Sequence, residues 1–476
     1  MESNMTRGIV WSAIERFSVQ GIQFIVSIII ARLVMPSDYG LIAMMAIFLS
    51  IAQTFVDSGL GQALIHKEDC DNVDYSTAFF LNVIIAVTAY VVLFFTSPYI
   101  AAFYSQSKLE IILKLASLNI IINSFGLVQK AKLTRIVDFK TQAKASLCAV
   151  LISGSIGVFL AYKGFGVWAL IFQSIASSTS NTITLWLLSK WRPLFVFSKT
   201  SFYQLYGFGG KILLTGLLST AYNNIYSLVI GKFYNSAALG LYNRAYTLSV
   251  YPSSNLVNII SRVVYPIECT LQNDNIKLRQ SFLKTIAITS YVIFPLMIGL
   301  AVLSKPFIMV ILSPKWEEAA TYLFITSLAL MWNHIMFLNW QLLSVKGRTD
   351  LSLKSEIIKK IFSVLILVCS IPFGVTTMCW GQVFYSFLDM AIIILFLRPI
   401  IGIGYMDEIR VLFPSLAISL IMGILIYFII QFISSYHLQL VVGIFTGVAI
   451  YILFSKLFKR WEYTFLTRKI KKAKNK

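Results

Sequence analysis

The sequence of 476 residues is poor in the groups that soluble enzymes use for chemistry. Only 13% of the residues are charged and only three are histidine, whereas about 25% of the residues in an average soluble domain are charged. The five cysteines form no C-x-x-C pair, so we predict neither a metal site nor a dithiol redox site. They are Cys70, Cys148, Cys269, Cys369 and Cys379.

Motifs for nucleotide binding and for nucleophilic catalysis are also missing. The sequence has no G-x-x-x-x-G-K-[ST] phosphate loop, no H-E-x-x-H and no G-x-S-x-G. Asp69-Cys70-Asp71 resembles the D-x-D motif of glycosyltransferases, but no nucleotide-binding domain surrounds it. We therefore expect no enzyme activity, no catalytic residues, no cofactor and no use of bound ATP.

Apolar residues, in contrast, are abundant. They make up 58% of the chain, and the mean hydropathy is +0.78. Because a helix needs about 20 residues to cross the hydrocarbon layer, the apolar stretches predict an all-α integral membrane protein with about fourteen transmembrane helices. The predicted spans are 10–34, 40–65, 76–97, 111–130, 143–162, 165–188, 208–233, 240–265, 282–303, 318–345, 356–374, 376–397, 411–432 and 438–457.

The formal charge of +20 follows alternate loops. This pattern is typical of the positive-inside rule and predicts that both termini are cytoplasmic, rather than that the protein binds nucleic acid. No A-x-A-like cleavage site follows the first apolar segment, so we expect a retained helix there. The cations assigned to inner loops are Lys130, Lys132, Arg135, Lys140, Lys144, Lys346, Arg348, Lys354, Lys359 and Lys360.

Residues 27–41 recur as residues 227–241. Ser27, Ile30, Gly40 and Leu41 each meet an identical residue 200 positions later. Such a repeat predicts two pseudo-symmetric six-helix lobes related by an axis along the membrane normal, with a cavity between them. A single irregular bundle is the alternative. Further matching pairs are Phe165-Gly166-Val167 with Phe373-Gly374-Val375, and Arg192-Pro193 with Arg398-Pro399.

The repeat defines a domain plan. We predict an N-terminal six-helix lobe over 1–200 and a C-terminal six-helix lobe over 201–400. Two additional transmembrane helices follow over 401–458, and a basic cytoplasmic tail occupies 459–476. The tail is expected to lie against anionic headgroups.

Polar residues at helical spacing mark candidate substrate-binding faces. The sharpest is the polar face of the eighth predicted span, 240–265, whose members are spaced 3, 4, 4, 3 and 4 along the helix. Ionised groups within a span normally face the bundle interior or water. Interhelical hydrogen bonding is the alternative for the uncharged members, and snorkelling for the charged ones. The candidates are Arg16, Gln20, Gln23, Lys211, Asn223, Arg244, Tyr251, Asn255 and Arg262.

Carboxylates within spans are few, and Glu15, Asp57 and Asp389 are the candidates for coupling to a proton or a sodium ion. For Glu15 the alternative is neutralisation of a nearby cation such as Arg16. We interpret the lone His334 as a hydrogen-bonded interior residue rather than a proton relay.

Three short segments resemble one family of membrane transporters. They are Gly8-Ile9-Val10-Trp11-Ser12, Ala31-Arg32-Leu33-Val34-Met35-Pro36-Ser37-Asp38-Tyr39-Gly40-Leu41 and Asp57-Ser58-Gly59-Leu60-Gly61. The middle one is close to the A-R-x-L-x-P-x-x-Y-G-like pattern of the polysaccharide-transport family, although the second lobe keeps only its serine, its cation and Gly-Leu. The sequence is thus similar to Wzx-type flippases of the multidrug/oligosaccharidyl-lipid/polysaccharide exporter superfamily.

The resemblance implies transport of an undecaprenyl-diphosphate-linked oligosaccharide repeat unit across the bacterial inner membrane, for lipopolysaccharide, capsule or exopolysaccharide synthesis. It also implies a V-shaped cavity, alternating access coupled to an ion gradient, and contact with membrane lipids and other polysaccharide assembly proteins. The polar helix faces, rather than motif residues of the family, assign the individual roles: Arg16, Arg244 and Lys211 would hold the diphosphate, and Gln20, Gln23, Asn223, Tyr251 and Asn255 would face the glycan.

Two other functions compete with this one. A multidrug or toxin cation antiporter of the same superfamily would have a similar fold, but it should have an acidic cavity, whereas this one is predicted to be basic. A membrane polysaccharide polymerase or ligase would need a substantial outer loop for its chemistry, and the outer loops predicted here are short.

Overall fold

The described part of this chain forms twenty α-helices in a computed structural model. The structure describes the backbone of residues 2–57 and 59–474 and the side chains of residues 18–57, 59–206, 210 and 213–468. The helices are α1 (Glu2–Leu33), α2 (Pro36–Asp57), α3 (Leu60–His66), α4 (Asn72–Phe103), α5 (Lys108–Ala116), α6 (Leu118–Arg135), α7 (Phe139–Tyr162), α8 (Val167–Leu188), α9 (Lys199–Asn223), α10 (Ile225–Phe233), α11 (Ser236–Thr270), α12 (Asn275–Val302), α13 (Ser304–Ile311), α14 (Ala319–Leu330), α15 (Asn333–Val345), α16 (Thr349–Ser370), α17 (Val375–Ile401), α18 (Tyr405–Gln431), α19 (Tyr436–Leu457) and α20 (Trp461–Lys474).

Nine helical segments of the described chain are long and apolar enough to cross a membrane. The prediction of an all-α membrane protein is therefore confirmed. The segments are Pro36–His66, Asn72–Phe103, Lys108–Arg135, Phe139–Tyr162, Asn275–Val302, Ala319–Val345, Val375–Ile401, Tyr405–Gln431 and Tyr436–Leu457.

The other five predicted spans also coincide with helices, namely α1, α8, α9 with α10, α11 and α16. These helices are less apolar because polar residues run along them, as in the S-S-T-S-N-T stretch of α8. The count of about fourteen spans therefore stays a prediction.

The chain forms two compact units, residues 1–240 and residues 241–476. In the first unit α7 packs on α1 and α8, and α9 packs on α2. The predicted lobes rest on the sequence repeat rather than on packing, so their boundaries remain a prediction.

The repeated segment forms the same local structure twice. α1 ends at Leu33 and α2 begins at Pro36, while α10 ends at Phe233 and α11 begins at Ser236. Both copies are thus a helix, a two-residue turn and a second helix, with the 200-residue offset intact.

The two identical glycines of the repeat lie where the copies cross within the first unit. A Cβ atom on Gly40 would lie 1.6 Å from the backbone oxygen of Ser236, and one on Gly240 would lie 1.9 Å from the backbone oxygen of Pro36. No side chain fits at either position without a shift of the facing backbone. This close approach explains why both copies have glycine here.

In the second unit α12 packs against α18, and small residues let the helices approach closely. A Cβ atom on Gly423 would lie 2.7 Å from Cγ2 of Ile298. Phe282, Phe294 and Met297 of α12 are completely buried in this core. Because lipid tails are as apolar as these side chains, dispersion contacts rather than the hydrophobic effect hold the helices together.

Candidate functional site

The first unit contains a polar cavity of about 680 Å³ between α2, α3, α6, α8 and α9. Its volume lies within the range of small-molecule binding sites. Most of its polar lining residues are amides and threonines. The lining residues are Gln53, Thr54, Asp57, Gly59, Gly61, Gln62, Ile65, Asn123, Gly126, Leu127, Lys130, Ala131, Thr134, Asn181, Thr182, Leu185, Leu213 and Gly216.

Two charged residues, among the side chains that the structure describes, face this cavity. Asp57 lies one helical turn after Gln53 on α2, and Nε2 of Gln53 donates a hydrogen bond of 2.9 Å to its Oδ1. Lys130, near the end of α6, also lines the cavity, and its charge acts on the Asp57 carboxyl group. The cavity therefore offers one cation and one carboxyl group on opposing helices.

The hydroxyl groups of the lining hold the helices in place. Oγ1 of Thr182 donates to the backbone oxygen of Ile122 at 3.1 Å, which ties α8 to α6. Oγ1 of Thr54 lies 3.1 Å from Oγ1 of Thr220, which ties α2 to α9. These threonines thus shape the cavity.

Three amides of the lining are open to a ligand. Gln62, Asn123 and Asn181 line the cavity and make no hydrogen bond to any residue that the structure describes. A primary amide offers two donors and one acceptor oxygen, the groups that sugar hydroxyls and phosphate oxygens bind. Among the described side chains there is no group of three or more residues that could hold a metal ion.

The structure places one predicted site residue of this unit, Asp57, in the cavity. Gln20 is half-buried on α1, and Gln23 and Asn223 are exposed, but none of the three lines the cavity. Nδ2 of Asn223 bonds to Oγ of Ser219 at 3.4 Å. The side chains of Glu15, Arg16 and Lys211 lie outside the described residues.

The remaining predicted substrate-binding residues lie on α11, in the helix where the sequence placed them. Arg244 is buried and Tyr251 is 39% exposed, while Asn255 is half-buried and Arg262 is exposed. Eighteen residues separate the two arginines, which corresponds to about 27 Å at 1.5 Å per residue. Arg244 and Arg262 are therefore too far apart to hold the same diphosphate.

A second polar face of α11 is occupied by hydrogen bonds within its own unit. Oγ of Ser249 lies 2.9 Å from Oγ1 of Thr326, and Oγ of Ser253 donates to the backbone oxygen of Leu330 at 2.9 Å. Ser261 bonds to Gln341 of α15. These serines join α11 to α14 and α15, so interhelical hydrogen bonding occurs on this face.

Asp389 of α17 belongs to a buried cluster of charges. Its Oδ1 lies 3.3 Å from Nζ of Lys359 on α16, and its Oδ2 accepts a bond of 3.1 Å from the Tyr385 hydroxyl group. Lys359 also pairs with Glu356. Asp389 thus has a cation as its direct partner.

Lys359 was counted among the inner-loop cations although it falls within the predicted span 356–374; it lies in α16 and is only 3% exposed. The sequence does contain a pattern that indicates this buried position. Ser352, Ser355, Lys359 and Ser363 are all buried and are spaced 3, 4 and 4, so they form one polar face of the helix.

The prediction for His334 is confirmed. It is completely buried, and its Nε2 lies 2.7 Å from Oγ of Ser290 on α12. The sequence analysis missed a buried carboxyl group at the start of α18, Glu408, which is only 1% exposed. It lies before the predicted span 411–432, so hydropathy alone did not place it within the bundle.

The sequence matches known proteins of polysaccharide synthesis. Residues 29–321 match the family model described as "Polysaccharide biosynthesis protein". The teichuronic acid biosynthesis protein TuaB of Bacillus subtilis (strain 168) is 27% identical over 347 residues, 72% of each chain. The lipopolysaccharide biosynthesis protein WzxC of Escherichia coli (strain K12) is 24% identical over 437 residues, 88% of this chain and 87% of its own.

The fold also matches a solved structure. The lipid II flippase MurJ in an inward closed conformation superposes with a TM-score of 0.76 over 95% of this chain and 99% of its own, at 15% identity. The match to the family model and to the relatives TuaB and WzxC confirms the resemblance to the polysaccharide-transport family. With its family match extending over more than half of its length, the chain is a multi-pass, all-helical membrane protein of the polysaccharide biosynthesis protein family.

Proposed function

We propose that the protein translocates an undecaprenyl-diphosphate-linked oligosaccharide repeat unit from the cytoplasmic to the periplasmic leaflet of the inner membrane. It would act by alternating access coupled to an ion gradient and would carry out no covalent chemistry. The observation that carries the proposal is the polar cavity of the first unit, with its three open amides, one lysine and one carboxyl group.

The cavity chemistry suits this substrate. The amides of Gln62, Asn123 and Asn181 can bind sugar hydroxyls, and the ammonium group of Lys130 can bind a diphosphate oxygen. Asp57, already held by Gln53, can accept hydrogen bonds from sugar hydroxyls. A prenyl chain needs no polar partner and can remain in the lipid.

The position of the cavity suits loading from the cytoplasm. Asp57, Lys130 and Leu185 lie near the C-terminal ends of α2, α6 and α8. With the predicted cytoplasmic N-terminus, these helix ends lie at the cytoplasmic side, where lipid-linked repeat units would enter. Relatives named for teichuronic acid and lipopolysaccharide biosynthesis support a surface-polysaccharide substrate.

The ion-coupling candidates remain Glu15, Asp57 and Asp389, and the further substrate candidates remain Arg16, Lys211 and Arg244 with the glycan-facing amides and Tyr251. In this proposal Asp57 has a position suited to sensing substrate, because it lines the cavity beside Lys130. The direct pairing of Asp389 with Lys359 makes it the less suitable carrier of an exchangeable proton.

The test uses the full-length protein in proteoliposomes with a fluorescently labelled undecaprenyl-diphosphate-linked sugar. Transport is measured as the fraction of label that becomes accessible to an external quencher. We expect Lys130→Gln to lower the initial rate about tenfold to 150-fold, because a charge-assisted hydrogen bond contributes about 1.5–3 kcal/mol.

Lys132→Gln is the matched control, since Lys132 lies on the same helix but stacks over the Tyr75 and Trp191 rings instead of lining the cavity. It should transport at the wild-type rate. Transport of a cationic dye with no movement of the labelled lipid would contradict the proposal and favour the antiporter function.

A further inference from the structure

A buried acid and a buried amide meet near one end of the second unit. Glu408 of α18 is 1% exposed and Asn339 of α15 is completely buried. Nδ2 of Asn339 donates to Oε2 of Glu408 at 3.4 Å. The two remaining oxygens, Oε1 of Glu408 and Oδ1 of Asn339, are buried and have no hydrogen-bond partner among the residues that the structure describes.

The charged groups around Glu408 do not neutralise it. Arg279 of the neighbouring α12 pairs with Asp407 at 2.7 Å. Lys346, just beyond α15, donates to the backbone oxygen of Gln272 and to Oδ1 of Asn275.

Arg410 is exposed two residues along α18, and Arg460 beyond α19 pairs with Glu462. In the described part of the chain Glu408 makes no salt bridge, and the charge that acts on it is the like charge of Asp407.

These observations have one simple chemical explanation. A buried carboxylate without a cation is strongly disfavoured, and so are two buried acceptor oxygens without donors. A proton on Oε1 makes this atom a donor, and Oδ1 of Asn339 is an acceptor without a partner. A planar acid and a planar amide then form a cyclic pair with two hydrogen bonds, one of which is already present.

We propose that Glu408 and Asn339 form a buried proton-binding site. One proton from water adds to Oε1 of Glu408 and is shared with Oδ1 of Asn339, while Nδ2 of Asn339 donates to Oε2. Loss of the proton leaves a carboxylate facing an amide oxygen, so the ionised site must take up water or separate α15 from α18.

This site differs in kind from Asp389. Asp389 has Lys359 and Tyr385 as partners and is stabilised as a carboxylate, whereas Glu408 has a neutral amide and is stabilised as an acid. A coupling role for the Glu408 proton rests on the proposed transport function, but the binding of the proton does not.

Infrared spectroscopy of the purified full-length protein tests the site. At about pH 7 an ordinary glutamate is ionised. We expect the wild-type-minus-Glu408→Gln difference spectrum to contain a protonated carboxylic C=O band that shifts in D₂O. In Asn339→Leu this band should move to higher frequency, because the acid loses its amide partner.

Two controls apply. Glu317→Gln removes an exposed glutamate that pairs with Lys305 at 2.8 Å, and Asp389→Asn removes the salt-bridged acid. Their difference spectra should contain carboxylate bands only. Glu408→Gln should unfold at the wild-type temperature, since an amide at position 408 can form both hydrogen bonds with Asn339.

A Glu408→Gln difference spectrum with carboxylate bands alone would overturn the proposal. An acid band whose frequency is the same in Asn339→Leu would overturn the acid–amide pair. Failure of the wild-type protein to move the labelled lipid would instead contradict the proposed transport function and leave the infrared result intact.

Discussion

The two units use their polar residues in different ways. In the first unit Gln62, Asn123 and Asn181 face an open cavity and bond to no described residue. In the second unit Ser249 and Ser253 bond to facing helices, and Lys359 pairs with Asp389. Amide side chains from three helices thus line a cavity in the first unit, whereas the polar side chains compared with them in the second unit bond to neighbouring helices.

This comparison shows what spacing alone leaves open. A stripe of polar residues indicates that a helix face avoids lipid, but a cavity and a neighbouring helix both satisfy that condition. The partners decide between them: amides without a protein partner mark the ligand-facing side, and paired hydroxyls and charges mark the packed side.

The largest effect is expected when the ion pair between Lys359 and Asp389 in the second unit is broken. Lys359→Met should lower the free energy of unfolding by about 3–5 kcal/mol, because it leaves the Asp389 carboxylate buried without its cation. Thermal unfolding in detergent measures this change.

Adding Asp389→Asn should recover much of the loss, since the uncompensated charge is then removed. Lys354→Met, on an exposed position of the same helix, should be nearly neutral. Equal stabilities of the Lys359 and Lys354 variants would show that the buried pair contributes nothing.

A smaller effect is expected when amides that line the cavity of the first unit are removed. Asn123→Ala with Asn181→Ala should reduce transport of the labelled lipid-linked sugar about fivefold to 150-fold, because each lost hydrogen bond contributes about 0.5–1.5 kcal/mol. The unfolding temperature should change little.

Asn119→Ala is the matched control on α6, since Asn119 bonds to Ser174 at 3.2 Å and does not line the cavity. It should cost stability rather than transport. If Asn119→Ala lowered transport while the double variant lowered only stability, the open amides of the first unit would not face substrate.

The smallest expected effect concerns pH. Glu268 follows the predicted span 240–265, and burial raises its pKa from 4.5 to about 7, although the neighbouring Gln341 lowers this pKa in part. The folded state therefore holds the proton more tightly than the unfolded state. Its contribution to stability is complete below about pH 4.5 and is lost as the pH rises through about 7.

Glu268→Gln should accordingly flatten the dependence of the unfolding temperature on pH between about pH 5 and about pH 8. Glu110→Gln, which removes a partly exposed glutamate paired with Lys114 at 2.7 Å, should leave that dependence as it is. If the unfolding temperature of Glu268→Gln depended on pH as steeply as that of the wild-type protein, the pH dependence would belong to another group.

Much of the fold could be predicted from the sequence, because the surrounding lipid restricts which secondary structures the chain can form. In lipid every backbone group must be bonded within a helix, so apolar length alone located α4, α12 and α19. Gly40 and Gly240 also belong to the repeated segment, and each lies near the start of the second helix of its copy, against the backbone of the other copy.

The candidate site was only partly predictable. Asp57 was identified as an intramembrane charge, but Gln62 and Asn181 were missed because the cavity arises where α3, α6 and α8 converge. Lys359 was counted among the inner-loop cations because the positive-inside rule counts charges without their partners. Asp389 lies 30 positions further along the chain, beyond the range of any helical periodicity.

The crossing of Gly40 and Gly240 has a consequence for how this chain can change. Duplication normally frees one copy of a segment to diverge while the other keeps its role. Here a side chain added to either glycine meets the backbone of the other copy, at Ser236 or at Pro36. Each copy of the repeated segment therefore restricts the other at this point, and neither glycine can be replaced independently of the facing backbone.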